Sequence, residues 1–373
     1  MLPRSPQRDR DLDFRQIEHY PVFDVLRIFA GLMVIYSHSF VLVGEGEPEV
    51  ASLGQYHITV GHGGVVVFFV LSGFLVTQSW LRQARAPSYS IKRFARIWPG
   101  YAMVIVLSAL VLGPIVTNLA LADYFTAKQT WVYIGRTLIM SPVQFDLPGV
   151  FTSQPNPAVN GSLWTLPYEV LAYVALLVLG AMGLAKKPMV FLGLTVVVLL
   201  AVRVAIQTRT IDLDVAANGI NVLAALNLGA WFLTGACLYL FRETLRWTTP
   251  IAVGAIVVAA VGFVLDESLL VIPTVSYLLI YVGTRNWAFV DVVRRPGDPS
   301  YGIYLYGFPI QQTLIWSGIV GRSPWAVLAL ASPIAIAVGY LSWHVVERPS
   351  MRWMRGSTAR QGGPLTDHPA VST

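Results

Sequence analysis

Ten apolar runs alternate with short polar stretches along the chain, at about 22–44, 61–81, 99–120, 162–184, 188–207, 218–241, 249–265, 268–284, 300–321 and 323–346. A helix needs ~20 residues to cross ~30 Å of hydrocarbon, and most runs reach that length. The two runs at 249–265 and 268–284 are short and separated only by Asp266 and Glu267, which predicts a tight hairpin of two spans. The mixed stretch 121–161 holds Pro142, Pro148, Pro155 and Pro157. It predicts a short interfacial helix near 129–140 and then an irregular loop. Residues 356–373 are rich in Gly, Pro, Ser and Thr and predict a disordered tail. The fold class is therefore all-α, a polytopic membrane helix bundle of about ten transmembrane helices. The chain divides into an N-terminal segment at 1–19, a membrane domain at 20–350 and a tail at 351–373. No internal repeat is visible, which argues against a transporter built from inverted halves.

Composition sharpens this picture. Of the 373 residues, 55% are hydrophobic and 12% charged, where soluble domains carry ~25% charged residues. Mean hydropathy is +0.61. A disordered chain, a nucleic-acid-binding domain and an ordinary cytosolic enzyme are excluded, and the first partner is the lipid bilayer. There are 26 Lys and Arg against 20 Asp and Glu, a net charge of +6. With the N-terminus inside, 20 of the basic residues fall on cytoplasmic segments and 5 on the opposite side (Lys128, Arg136, Arg203, Arg209 and Arg322), while Arg27 lies within the first span. This asymmetry predicts cytoplasmic N and C termini in an inner or plasma membrane. No cleavable signal pattern precedes the first run, so it is expected to persist as a helix. The lone Cys237 has no internal disulfide partner.

Ionisable residues within spans default to functional candidates. These are Asp24, Arg27, His38, Glu169 and His344. Arg27 and His38 are eleven apart; at ~100° per residue they share a helix face, with ~16 Å between them along the axis. Arg27 could equally be a snorkelling anchor paired with Asp24, and His38 a polar contact between helices. An imidazole is also the usual general base near neutral pH. Ser72 and Gly73 lie in a run of small residues that favours close helix packing. Arg93 and Arg96, three apart, read either as positive-inside anchors or as a phosphate clamp. Glu169, about two turns into its span, must face protein or water. His344 reads as structural. His57 and His62 are five apart, which fits no standard ligand pair, so no metal is expected.

These residues fall into an order that resembles the acyltransferase-3 family of integral membrane O-acyltransferases. Arg27 and His38 match the family's Arg, ten residues, His hallmark. Phe68, Phe69, Ser72 and Gly73 match its Phe-Phe-x-x-Ser-Gly, and Arg93 and Arg96 its Arg-x-x-Arg. Ser162-Leu163-Trp164 with Glu169, Ser300-Tyr301-Gly302-Ile303-Tyr304-Leu305 and Val346-Glu347-Arg348-Pro349 resemble three later segments. Many members carry a His two residues after that Tyr-Leu, where this chain has Gly307.

The resemblance implies transfer of an acyl group, usually acetyl, from cytoplasmic acyl-CoA to an extracytoplasmic hydroxyl, on a surface polysaccharide or lipid-linked glycan. No permanently bound cofactor is implied; acyl-CoA is the donor substrate. Arg27, Arg93, Arg96, Ser72 and Gly73 would bind the donor. His38 would serve as base or acyl carrier, Glu169 would orient it, and Trp164 and Tyr304 would line the acceptor path. With no esterase-like domain expected after the membrane part, the chain would act alone or with partner proteins for glycan assembly. A proton-coupled transporter or flippase for a polar lipid-linked glycan is the alternative, with His38 and Glu169 as proton-relay groups. A non-catalytic scaffold would leave the Arg27–His38 alignment without a reason.

Overall fold

The computed structural model describes residues 19–53, 56–208, 216–217, 220–285, 287, 290 and 297–361. Most of the N-terminal segment, the chain beyond Gln361, and Arg209, Arg294 and Arg295 lie outside the described residues. Helices dominate. The first, α1, is Pro21–Leu42, with proline in its first turn, where the missing N–H costs nothing. A small hairpin, β1 Glu49–Leu53 and β2 Tyr56–Thr59, leads to α2, Val60–Arg82. The Thr59 side chain caps α2 by accepting from the backbone N–H of His62 at 3.1 Å. Next, α3 is Ala86–Leu107, continued by a π turn at Ser108–Leu112 and by α4, Gly113–Val116.

Two short helices follow, α5 at Leu121–Thr126 and α6 at Lys128–Leu138. After a loop, a 3-10 turn at Gly161–Thr165 feeds directly into α7, Leu166–Ala181. Then come α8 Pro188–Thr208, α9 Val222–Leu240, α10 Thr249–Val264 and α11 Ser268–Gly283. The bundle closes with α12 Ser300–Trp316 and α13 Pro324–Ser342, which passes through a π turn at Trp343–Glu347 into α14, Arg348–Gln361.

Each of the ten apolar runs falls on a helix. Among the described residues, seven helices are long and apolar enough to cross a membrane, fewer than the ten that hydropathy alone expects. The shortfall has local causes. The α10–α11 turn at Asp266 and Glu267 leaves two helices of 16 residues each. The helix α12 has only 17 residues, and Gln311 and Gln312 lower its apolar character. Two boundaries also move. Arg93 and Arg96 lie well inside α3, because Pro87 opens that helix far ahead of the apolar run. The expected tail from 351 is instead helical to Gln361, because α14 continues from α13 and packs on α3.

Packing centres on α2, which contacts both α1 and α9. The α2–α9 contact depends on two glycines facing each other's backbone. A Cβ on Gly73 would lie 2.0 Å from the Phe232 carbonyl oxygen, and one on Gly235 would lie 2.2 Å from that of Val70. Only a missing side chain allows this approach. Outward, α8 and α10 expose Val197, Ile256, Val257 and Val264. Such a surface is unfavourable in water and natural in hydrocarbon, and the protein is a multi-pass membrane protein.

Candidate functional site

Five helices converge on one cavity. Arg27 enters from α1, Ser72 from α2, Arg93 and Arg96 from α3, Glu169 and Tyr173 from α7, and Tyr304 from α12. Three guanidiniums and one carboxylate thus face a space whose remaining wall mixes hydroxyl side chains with apolar ones such as Phe68 and Phe69. Local geometry explains the convergence. The i, i+3 spacing of Arg93 and Arg96 puts both on one face of α3, and the i, i+4 spacing of Glu169 and Tyr173 does the same on α7.

The three cations are not equivalent. Arg96 donates to Asp298 at 2.7 Å and lies 3.9 Å from Glu347. Its guanidinium also sits over the rings of Tyr301 and Trp343 at 5.8 and 5.9 Å. Arg27 lies 3.7 Å from Asp24 and 3.9 Å from Asp298. Asp298, in the loop before α12, accepts from the Ser300 backbone N–H and hydroxyl. Burial pushes its carboxyl up, but Arg96, Arg27 and the Ser300 bonds together overcome this and hold it at about 2. Arg93 differs: among the described residues it makes no ion pair, its buried Nε has no hydrogen-bond partner, and it stacks on Tyr89 and Tyr173 at 6.0 and 5.6 Å. It is the cation left available to an anionic ligand.

Beside Arg93 runs a chain of hydrogen bonds through Tyr173. Ser72 Oγ and the Tyr173 hydroxyl are 3.0 Å apart, and that hydroxyl donates to Glu169. At the outer wall, the Tyr304 hydroxyl donates to the Ser162 carbonyl at 2.7 Å and lies 2.5 Å from Thr165 Oγ1.

His38 is not part of the cavity lining. It packs edge-to-face on Phe308 of α12, with ring centroids 5.0 Å apart. Phe308 stands one turn beyond Tyr304 on the same face of α12, ~6 Å further along the axis. The two helices meet through a regular stripe. Arg27 approaches Asp298, a Cβ on Gly31 would lie 3.0 Å from Ile303, one on Gly307 would lie 2.8 Å from Ile35, and His38 meets Phe308. Arg27, Gly31, Ile35 and His38, spaced four, four and three, therefore share the face turned to α12. The Nδ1 of His38 is buried and has no hydrogen-bond partner.

The structure thus brings together Arg27, Ser72, Arg93, Arg96, Glu169 and Tyr304, and sets His38 above them. Gly73 faces α9 rather than the cavity. Trp164 packs on Tyr168 at 5.7 Å, away from the lining. Glu169 bonds to Tyr173, not to the imidazole, so the expected orienting contact on His38 is not made. Sequence reasoning missed Asp298 and Tyr173. The i, i+4 relation of Tyr173 to Glu169 was a readable signal, whereas the partners of Asp298 are 202 residues away at Arg96 and still further at Arg27.

The match to the acyltransferase domain family covers residues 20–344. An O-acetyl transferase of Shigella phage Sf6 is 27% identical over 339 residues, covering 87% of this chain and 94% of the relative. Nodulation protein 10 of Rhizobium leguminosarum bv. viciae is 28% identical over 365 residues, covering 92% of this chain and 96% of the relative. No solved structure matches the chain.

Proposed function

The chain belongs to the acyltransferase-3 family and is an O-acetyltransferase; from that premise we propose that it moves acetyl from cytoplasmic acetyl-CoA to a hydroxyl of an extracytoplasmic acceptor, a surface polysaccharide or lipid-linked glycan, at the inner or plasma membrane. The observation that carries this reading is the convergence of Arg27, Ser72, Arg93, Arg96, Glu169 and Tyr304 on one cavity, with His38 on the same face of α1 as Arg27. The basic end of the bundle would face the cytoplasm, in keeping with the charge asymmetry of the sequence. Arg93, unpaired among the described residues, is then suited to hold a CoA phosphate, with Arg96 and Arg27 adding positive potential while tied to Asp298.

His38 acts as general base on the acceptor. The hydroxyl oxygen forms a bond to the acetyl carbonyl carbon, and its proton passes to the imidazole. The carbon–sulfur bond breaks, and the thiolate takes the proton from the imidazolium to leave as free CoA. The ~16 Å from Arg27 to His38 suits a donor whose anionic end stays at the inner leaflet while its thioester reaches deep into the bilayer. The Ser72–Tyr173–Glu169 chain fixes the cavity wall along which that arm would lie.

The test is acceptor-dependent release of CoA from labelled acetyl-CoA by the purified full chain in lipid. Catalysis of this kind contributes about 10²–10⁴-fold, so His38→Ala is expected to lower transfer at least a hundredfold while inserting normally. Undiminished transfer would remove the imidazole from the chemistry.

A further inference from the structure

The arginine-lined cavity stops short of His38, and one aromatic ring stands in the gap. The cavity wall includes Phe68, Thr165 and Tyr304, and the Phe68 and Tyr304 rings meet edge to face at 5.6 Å. Phe308 comes one turn further along α12, and neither it nor His38 lines the cavity. Its side chain is 3% exposed. It meets the His38 imidazole with ring centroids 5.0 Å apart. It also lies against the backbone of the 3-10 turn, where a Cβ on Gly161 would come within 2.6 Å of it. Leu42 of α1 and Ala158 pack around it. A single side chain thus spans from α1 to the 3-10 turn, beyond the end of the cavity and against the imidazole.

The backbone that carries this ring is the most deformable part of α12. Pro309 follows it inside the helix, and proline has no N–H to give to the Leu305 carbonyl one turn back. Asn160, wholly buried, supplies the missing donor: its amide nitrogen reaches that carbonyl at 2.8 Å. The Asn160 side-chain oxygen also accepts from the Ser162 backbone N–H at 3.2 Å, so one residue ties the 3-10 turn to α12. Gly307 precedes the ring and adds backbone freedom. Helices bend where proline interrupts the ladder. The ring therefore sits where α12 gives way most readily. A thioester that starts at the arginines and reacts at His38 must pass this point, and until the acceptor is in place the same barrier keeps water and base away from it.

We propose that Phe308 is a gate between the donor cavity and His38: closed in this structure, it screens a bound acetyl thioester from the imidazole and from water, and it swings aside, with α12 flexing at Gly307 and Pro309, when the thioester advances. This rests on the acetyl-transfer reading above. Its chemical purpose is to favour transfer over hydrolysis. In the leak reaction that the gate prevents, a water oxygen bonds to the acetyl carbonyl carbon and its proton passes to the His38 imidazole. The carbon–sulfur bond breaks and the thiolate takes that proton, leaving acetic acid and free CoA.

The test measures CoA release from labelled acetyl-CoA by the purified full chain in lipid, with no acceptor present, alongside acetyl-CoA binding. Phe308→Ala is expected to raise this acceptor-free release about tenfold or more while leaving acetyl-CoA affinity nearly unchanged. Emptying a packed interior also destabilises, so Phe308→Leu is measured beside it; it keeps an apolar side chain and thins the barrier, and a smaller rise is expected. Adding His38→Ala to either variant is expected to remove the extra release. Unchanged acceptor-free release in a variant that binds acetyl-CoA normally overturns the gate. Extra release that persists without His38 also overturns it, because the ring then does not stand between thioester and imidazole. A wild-type chain that neither binds acetyl-CoA nor transfers acetyl to a glycan removes the transfer reading itself, a result distinct from a wild type that transfers while the Phe308 variants leak no more than it does.

Discussion

Arg93 and Arg96 share a helix face three residues apart, yet their surroundings give them different work. Arg96 sits between Asp298 and Glu347, so removing it strands buried Glu347 and leaves Asp298 only the more distant Arg27. Breaking such a pair costs about 3–5 kcal/mol; Arg96→Ala is expected to lower the unfolding midpoint clearly in detergent. Arg93 forms no close ion pair among the described residues and shares the cavity with Glu169. Arg93→Ala is expected to raise KM for acetyl-CoA about tenfold, the loss of one charge-assisted contact of about 1.4 kcal/mol, with little change in the unfolding midpoint. The sequence showed the pair but not this division, because both counter-ions of Arg96 lie far off in the chain. Tyr173 makes a comparable case. Its hydroxyl links Ser72 to Glu169 while its ring carries Arg93. Tyr173→Phe keeps the ring and deletes the link; the expected result is a fall in kcat of about tenfold with KM for acetyl-CoA nearly unchanged, since an orphaned buried acceptor costs about 1–3 kcal/mol. Asp298 supplies a pH test. Its folded pKa lies below the ordinary carboxylate value, so the unfolded chain binds its proton first as pH falls. Its stabilising contribution is complete above about pH 4 and is lost toward pH 2. Melting profiles against pH are expected to be flatter over that window in Asp298→Asn than in the parent.

Helices were legible wherever an apolar run was long, because period and hydropathy point the same way in α2, α8 and α9. They were less legible where polar residues belong to a helix for reasons outside it. The first turns of α3 carry Ser90, Lys92 and Arg93, and hydropathy alone starts that helix too late. Proline at position 87, in the first turn, marks the true start. In α14, Arg352 and Arg355 suggest a tail, yet the helix is inherited from α13 and held by α3. Close contacts between helices are the second thing a linear pattern hides. Gly73 reads as a small residue in a motif, but its demand comes from the Phe232 carbonyl on α9. Gly73→Leu must push α9 away and is expected to lower the thermal midpoint of the purified protein by several degrees; the same substitution at Gly254, where a Cβ would meet nothing within 4 Å, is the control. Gly307 follows the same logic. A side chain there would run into Ile35 of α1, which gives a physical reason for the glycine at this position.

At the scale of the molecule, the design separates two chemistries along one helix. Arg27 near one end of α1 joins an ion network of Asp24, Asp298, Arg96 and Glu347, while His38 near the other end lies among aromatic and amide groups. The anionic donor and the hydroxyl acceptor would thus approach from opposite faces of the membrane, and the arrangement works only if the bundle has one orientation. The lone cysteine makes that orientation measurable. Cys237 is buried, so a cysteine introduced elsewhere can be labelled against a low background. The distribution of basic residues along the sequence expects Arg322, between α12 and α13, to lie outside and Ser357, on α14, to lie inside. A membrane-impermeant maleimide added to intact cells is expected to label Arg322→Cys and to spare Ser357→Cys, with the order reversed in inside-out vesicles. Labelling of Ser357→Cys in intact cells would put the arginine cavity on the side that has no acetyl-CoA. No rearrangement of side chains could then restore the direction of transfer.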